Sequence, residues 1–397
     1  RNRSVTDCFE PGSTMKVCTV GAAMERGAVK PDEIIDCENG RLAIGRHHIN
    51  DSHRGLGKIP LSEVLIHSSN VGAAKLGMAL GKPRLHEALR EFGFGQKTGV
   101  DLPGESRCSL RDYKRWSDVG LATVSFGQGV SVSTLQLGAA LCSVANGGIW
   151  RKPRVVKSLR SERVRDLERF DVDPGRRVMK PSLTKILKAM MVGVTEPGGT
   201  GTRAAVPGFK VAGKTGTAQK ADPIAGGYSK DKRVASFMGF VPADDPRLAI
   251  VVVVDEPGTS PYGGVVAAPA FARIADAALG YLGVFTKVPP VPVQTPKPEE
   301  PPVAVAAPAI VEDWNEPEET DAPAPTGRIA LPDLRRLSIR GAVGLLSPRG
   351  LDIEVSGSGR VIQQRPAAGK LVDVASKVTL KLEVADRTRS GMDPAGS

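Results

Sequence analysis

No run of eighteen apolar residues occurs in the 397-residue chain, and none of its longer apolar stretches lies at the start. Neither a membrane-spanning helix nor a signal peptide is therefore expected within it. An initiating methionine is missing too: the chain begins at Arg1, and the expectation is a fragment or processed form whose front held the targeting segment. Aromatic residues make up only 4%, a poor basis for a platform on which bases stack. The five cysteines (Cys8, Cys18, Cys37, Cys108, Cys142) form no CxxC pair and no group with histidine at metal spacing. Their odd number does not suit a disulfide framework, so buried free thiols and no zinc site are expected. His47, His48 and His53 are the only histidine group, and no carboxylate or cysteine completes it as a metal site.

What is present is ordinary for a globular chain of two or three domains: 41% hydrophobic and 24% charged residues. The net charge of +11 raises an anionic partner as a question. Its distribution argues against nucleic acid, because no five basic residues run together and residues 287–326 carry a net −6 against +17 in the rest. That same acidic segment holds eleven of the 31 prolines and no hydrophobic period, so it reads as an extended linker. The division expected is a large unit over 1–286, a linker over 287–327, a small unit over 328–386 and a disordered tail over 387–397.

In the large unit, helices are expected over Ser13–Arg26, Leu61–Leu80, Ser133–Asn146, Ser182–Val194 and Ala267–Gly283. Phe209–Gln219, Ala235–Val241 and Leu248–Asp255 read as strands, the last two joined by the turn Ala243-Asp244-Asp245-Pro246. Strands late and helices early predict an α+β fold, an antiparallel sheet packed between helices. The small unit, with period-two stretches Leu351–Val355 and Lys377–Val384 and a short helix over Ala342–Leu346, predicts a compact α+β module.

Three short signatures carry possible chemistry: Ser13-Thr14-Met15-Lys16, Ser68-Ser69-Asn70 and Lys214-Thr215-Gly216-Thr217. Pattern alone does not select them, since SxxK recurs at Ser182–Lys185 and Ser229–Lys232 and KTG at Lys97–Gly99. Context does. Ser13 opens an apolar helix and Lys16 stands one turn later on the same face, where burial lowers a lysine's proton affinity enough to accept the serine proton. Ser182 lacks an apolar run around its lysine, and Ser229 sits among Lys230, Asp231, Lys232 and Arg233. Lys214 continues a strand pattern, with Lys214 and Gly216 on one face and Thr215 and Thr217 on the other. Lys97 lies in a loop between Phe92-Gly93-Phe94-Gly95 and Asp101-Leu102-Pro103-Gly104.

The ordered set resembles the active site of the penicilloyl serine transferases, the superfamily of penicillin-binding proteins and serine β-lactamases. Longer stretches, Phe9–Lys16, Gly127–Val132, Ala145–Gly148 and Gly213–Gln219, look like the division-type class B penicillin-binding proteins. Pro332-Asp333-Leu334, Ala342–Leu346, Val355–Gly359 and Gln364-Arg365-Pro366 resemble a PASTA domain. The resemblance implies a penicillin-binding-protein transpeptidase fold followed by a PASTA module. Class B enzymes place a membrane anchor, a pedestal and the first sheet strands before the serine helix, so those first strands are expected to be missing here.

Ser13, Lys16, Ser68, Asn70 and Lys214 are then the implied catalytic residues of a peptidoglycan D,D-transpeptidase. The amides of Ser13 and Thr217 form the implied oxyanion hole, and Lys214, Thr215 and Thr217 bind the terminal carboxylate of a D-Ala-D-Ala stem peptide. An amine of a second stem accepts the acyl group, and neither metal nor organic cofactor is needed. β-Lactams are implied inhibitors, the wall-synthesis and division machinery the implied partners, and the extracytoplasmic face of the membrane the implied location. A D,D-carboxypeptidase or β-lactamase-type hydrolase is the enzymatic alternative, although none of the six asparagines has Glu four residues before it, as class A hydrolysis uses. An inert wall-binding scaffold is the other.

Overall fold

The computed structural model describes residues 1–52, 55–161, 168–221, 227–258, 260–285, 328–335, 342, 346, 351–357, 360–373 and 376–383. They form two separate units, one ending at 285 and one beginning at 328. The expected linker over 287–327, the expected tail over 387–397 and His53 lie outside the described residues. Among the described residues no helix is long and apolar enough to cross a membrane.

The large unit is built around one helix. A tight 3-10 turn, Gly12–Met15, runs into α1 (Lys16–Glu25), every residue of which from Lys16 to Met24 is buried. The expected helix thus starts three residues later than Ser13. Burial runs around its whole circumference rather than along one apolar stripe, as befits a helix at the centre of a core. The single helix expected over Leu61–Leu80 is two, α2 (Leu61–Ile66) and α3 (Asn70–Leu80). Ser69 breaks it: its side chain caps α3 by accepting the Gly72 N–H at 2.9 Å, a bond that competes with continued helix. Further on, α4 (Thr134–Ala145) opens on a capping box in which the Ser133 hydroxyl and the Gln136 amide satisfy each other's backbone N–H groups. α5 (Pro181–Gly193) and α6 (Ala268–Tyr281) complete the set that frames the sheet.

That sheet is the antiparallel meander β1 (Ala212–Ala221), β2 (Tyr228–Val241) and β3 (Leu248–Asp255). Period two divides β2 between two cores. Met238 and Phe240 face the cluster that contains α1, while Phe237 and Val241 face a second cluster with Phe271, Ala275 and Leu279 of α6. The Phe237 and Phe271 rings meet edge to face with centroids 4.8 Å apart, and fully burying a side chain of this size contributes about 1.5–3 kcal/mol. Helices thus cover both faces of an antiparallel sheet.

The expectation of free thiols fails for two of the five cysteines. Cys8 and Cys108 form a disulfide with Cα atoms 5.7 Å apart. Strand Val130–Ser133 takes Cys8–Phe9 on one edge and Ser109–Leu110 on the other, which brings together thiols 100 residues apart in sequence. No spacing rule reports such a pairing. Cys18 and Cys37 are free and buried, whereas Cys142 is free but exposed.

In the small unit, Asp352–Gly357 pairs in parallel with Lys377–Glu383, which pairs antiparallel with Arg360–Arg365, a strand not anticipated from sequence. Its separate core contains Leu331, Leu334, Ala342, Leu346, Val378 and Leu380. The Gln364 side chain accepts the Leu334 N–H at 2.7 Å and donates to the Pro332 carbonyl at 3.0 Å, so two stretches singled out by resemblance are tied directly to each other.

Candidate active site

The turn that carries Ser13 is wedged into place by backbone. Gly12 adopts φ +55°, and a Cβ there would stand 2.9 Å from the Thr217 carbonyl oxygen and 3.2 Å from the Ala218 Cβ. Its N–H donates to the Gly127 carbonyl at 3.0 Å. Only glycine allows both the close approach and the left-handed conformation at no steric cost. Just upstream, the Glu10 carboxylate accepts the Gly129 N–H at 3.0 Å and the Tyr228 hydroxyl at 2.9 Å, clamping the turn to β2. Burial raises the Glu10 pKa above the usual carboxylate range. Within the turn Thr14 and Met15 are buried, as is Lys16 directly after it, whereas Ser13 is half-buried, so Ser13 has the one partly exposed hydroxyl of the turn.

Lys16 does not meet Ser13 in the way helical spacing suggests. Among the described residues no hydrogen bond joins the two side chains. The ammonium is taken up by other acceptors: the Ser68 carbonyl at 2.5 Å, the Ser68 Oγ at 3.2 Å and the Asn70 Oδ1 at 2.7 Å. Three donors thus find three acceptors. Ser68 turns the corner between α2 and α3 at φ +60°, and Asn70 begins α3, its Nδ2 donating to the Asn50 carbonyl at 2.8 Å.

Lys214 reaches the same hydroxyl from β1. Its Nζ donates to Ser68 Oγ at 2.9 Å and to the Thr215 carbonyl at 3.2 Å, and lies 3.4 Å from Thr215 Oγ1. The strict alternation expected along this strand therefore does not separate Lys214 from Thr215, because the long flexible stem brings the ammonium back over its neighbour. Thr215 is buried and shares a hydrogen bond with Thr200 at 2.9 Å. Thr217 is half-buried and accepts the Gly263 N–H at 3.3 Å, while its backbone lies against the nucleophile turn.

Ser68 Oγ is thus held between two fully buried lysines. Desolvation pushes the Lys16 pKa down to about 7, opposed by the charges of Asp51 and Cys37. Desolvation, with the Lys16 charge added, lowers Lys214 well below an ordinary lysine. Two ammonium groups sharing one hydroxyl in a dry site disfavour double protonation, so near neutral pH a free amine is accessible. With either amine free, the Ser68 hydroxyl can donate to it and relay a proton across the site.

The rival motifs are elsewhere. Lys97 is exposed, and the Thr98 and Gly99 N–H groups bind the Glu105 carboxylate at 2.7 and 3.0 Å, which makes this KTG a tied loop. Ser182 and Lys185 are exposed. Ser229 accepts the Asp231 and Lys232 N–H groups as a local turn. His47 and His48 lie in strand His47–Asn50, and among the described residues no group of His, Cys, Asp and Glu side chains could hold a metal ion. Sequence reasoning missed Asn50, Asp51 and Thr200, polar residues that belong to none of the three signatures.

Residues 1–276 match the family described as penicillin binding protein transpeptidase domain, and residues 329–384 match the PASTA domain. The chain is 37% identical over 286 residues to the probable peptidoglycan D,D-transpeptidase PenA of Neisseria gonorrhoeae, covering 72% of this chain and 46% of that protein. It is 38% identical over 278 residues to the peptidoglycan D,D-transpeptidase FtsI of Escherichia coli, covering 69% and 44%. It is 34% identical over 392 residues to the stage V sporulation protein D of Bacillus subtilis, covering 97% and 56%. The chain spans about half the length of these curated relatives. Among solved structures, the transpeptidase domain of Burkholderia pseudomallei penicillin-binding protein 3 superimposes with a TM-score of 0.66 at 35% identity, covering 73% of this chain and 84% of that one.

Proposed function

Because the chain belongs to the penicillin-binding protein transpeptidase family, we propose that it cross-links peptidoglycan stem peptides through an acyl-enzyme on Ser13. The observation that carries this reading is the Ser68 hydroxyl bridged between Lys214 and Lys16, the lysine three positions after the half-buried Ser13.

In the first step Ser13 Oγ bonds to the penultimate D-Ala carbonyl carbon, the C–N bond to the terminal D-Ala breaks, and the serine proton passes by way of Lys16 and Ser68 to the leaving amine. The free amine of Lys16 is the base, reached once a proton leaves its hydrogen-bonded cluster. The amides of Ser13 and Thr217 stabilise the oxyanion, Asn70 holds the substrate amide, and Lys214 with Thr215 and Thr217 binds the terminal carboxylate. In the second step an amine of another stem peptide attacks the ester and releases Ser13. Two lysines and no directly bonded carboxylate suit an anionic peptide terminus and equally a β-lactam carboxylate. The activity belongs at the extracytoplasmic face, in septal wall synthesis alongside the division machinery.

The test is the full chain with a D-Ala-D-Ala-ended pentapeptide and an added amine acceptor. Release of D-Ala with formation of the aminolysis product is expected. Release with hydrolysis alone would favour a D,D-carboxypeptidase, and no release would favour a wall-binding scaffold. The acylation rate with fluorescent penicillin should also rise with pH along a limb centred near 7, where Lys16 loses its proton. A rate independent of pH between about 5.5 and 8 would exclude Lys16 as the base.

A further inference from the structure

Against the Ser68–Asn70 corner lies a carboxylate with no part in the reaction above. Asp51 follows strand His47–Asn50 and is only 6% exposed. One oxygen accepts the N–H groups of Asn70 at 2.5 Å and Val71 at 3.0 Å, and the other accepts the Ser69 hydroxyl at 2.7 Å. The N–H groups belong to the first turn of α3, where no helical partner exists and negative charge is favoured. One side chain thus closes the start of the helix that carries Asn70 and braces the left-handed corner that presents Ser68. The preceding residue reinforces it, since the Asn50 carbonyl holds the Asn70 amide.

The same carboxylate faces Lys16. The charged and titratable groups around this ammonium are Asp51, Cys37 and, across Ser68, Lys214; Cys37 in turn faces Asp36 and Lys75. Among them the Cys37 thiol is pushed up by burial, and Asp51 is the carboxylate that is also bonded into the Ser68–Asn70 corner. We propose that Asp51 is a positioning residue for acylation, holding Ser68 and Asn70 in register with Lys16 while supplying the negative charge that faces it. This rests on the acyl-transfer reading above, and it adds a residue outside the three motifs.

The two jobs have separable signatures. Asp51→Asn keeps the size and one oxygen for the backbone N–H groups but removes the charge. Without that charge the protonated lysine is less favoured, so the free amine appears at lower pH. The plateau rate of acylation by fluorescent penicillin should fall about tenfold or more through misplacement of Ser68 and Asn70. The ascending limb should move toward acid by about half a pH unit or more. Ser69→Ala removes the hydroxyl partner and leaves every charge in place, so it should lower the rate or the melting temperature with the limb unmoved.

A limb at the unaltered position in folded Asp51→Asn, or the same shift in Ser69→Ala, would overturn the proposal. Asp51→Ser, also neutral, provides the second reading. Failure of both Asp51 variants to give a cooperative melt would overturn it too, since the carboxylate would then serve stability alone. Absence of label in the unaltered chain is a different outcome, and sinks the functional reading before any variant is compared.

Discussion

Ser13→Ala is expected to abolish covalent labelling by fluorescent penicillin, with Ser182→Ala and Ser229→Ala labelling as the unaltered chain does. The three serines share an SxxK spacing and differ in what surrounds them. Ser13 is half-buried on a turn held by Gly12, Gly127 and Glu10, one turn from a lysine that is fully buried. Ser182 and Lys185 are exposed to water rather than enclosed in the core as Lys16 is. Ser229 already accepts two backbone N–H groups in its own turn. Without a base at hand, neither of the last two hydroxyls has its proton removed, and a serine without a general base is a weak nucleophile. Digestion of the labelled chain and mass measurement of its peptides locates the adduct. Undiminished labelling of Ser13→Ala, or an adduct on either of the other serines, would move the nucleophile.

The second large effect belongs to Lys214. Its ammonium donates to Ser68 Oγ at 2.9 Å across 146 residues of sequence, and its removal takes away both the cation expected to hold the substrate carboxylate and one side of the Ser68 bridge. Loss of a preorganised electrostatic contact of this kind costs on the order of a hundredfold or more in rate, so Lys214→Ala should slow acylation by about that factor. Lys97→Ala should leave the rate within about twofold, because an exposed charge in a loop tied by Glu105 is screened by water and salt. Equal losses from the two substitutions would show that the choice between the KTG triplets is wrong. A loss on Lys214→Ala confined to the affinity for substrates with a terminal carboxylate would assign the lysine to binding rather than to the proton relay.

Local regularities were legible in the sequence because local chemistry makes them. The β2–β3 hairpin follows from two period-two runs around Ala243-Asp244-Asp245-Pro246, and the structure pairs Val241 with Leu248 across it. The burial of α1 follows from its apolar run, and the rejection of Ser182 and Ser229 from the polarity around them. Where expectation failed locally, a side chain had outcompeted the periodic pattern. Ser69 caps and so divides Leu61–Leu80, and the glycine-led 3-10 turn delays α1 to Lys16. Strand alternation placed Lys214 and Thr215 on opposite faces, and the length of the lysine stem reunited them.

By itself, then, the sequence determined which residues are able to act: a serine ahead of a buried lysine, a polar SxN corner and a strand lysine flanked by glycines, each set by neighbours within a few positions. Tertiary structure alone decided how they meet. Lys16 bonds Ser68 and Asn70 rather than the serine three residues away, Lys214 closes on the same hydroxyl, Cys8 finds Cys108, and Asp51 is drawn beneath the corner. Those contacts span from 18 to 146 residues. The backbone period that makes helices and strands carries no information about them, because a hydrogen bond between distant side chains exists only after the packed core has brought its two ends within about 3 Å and excluded the water that would otherwise take its place.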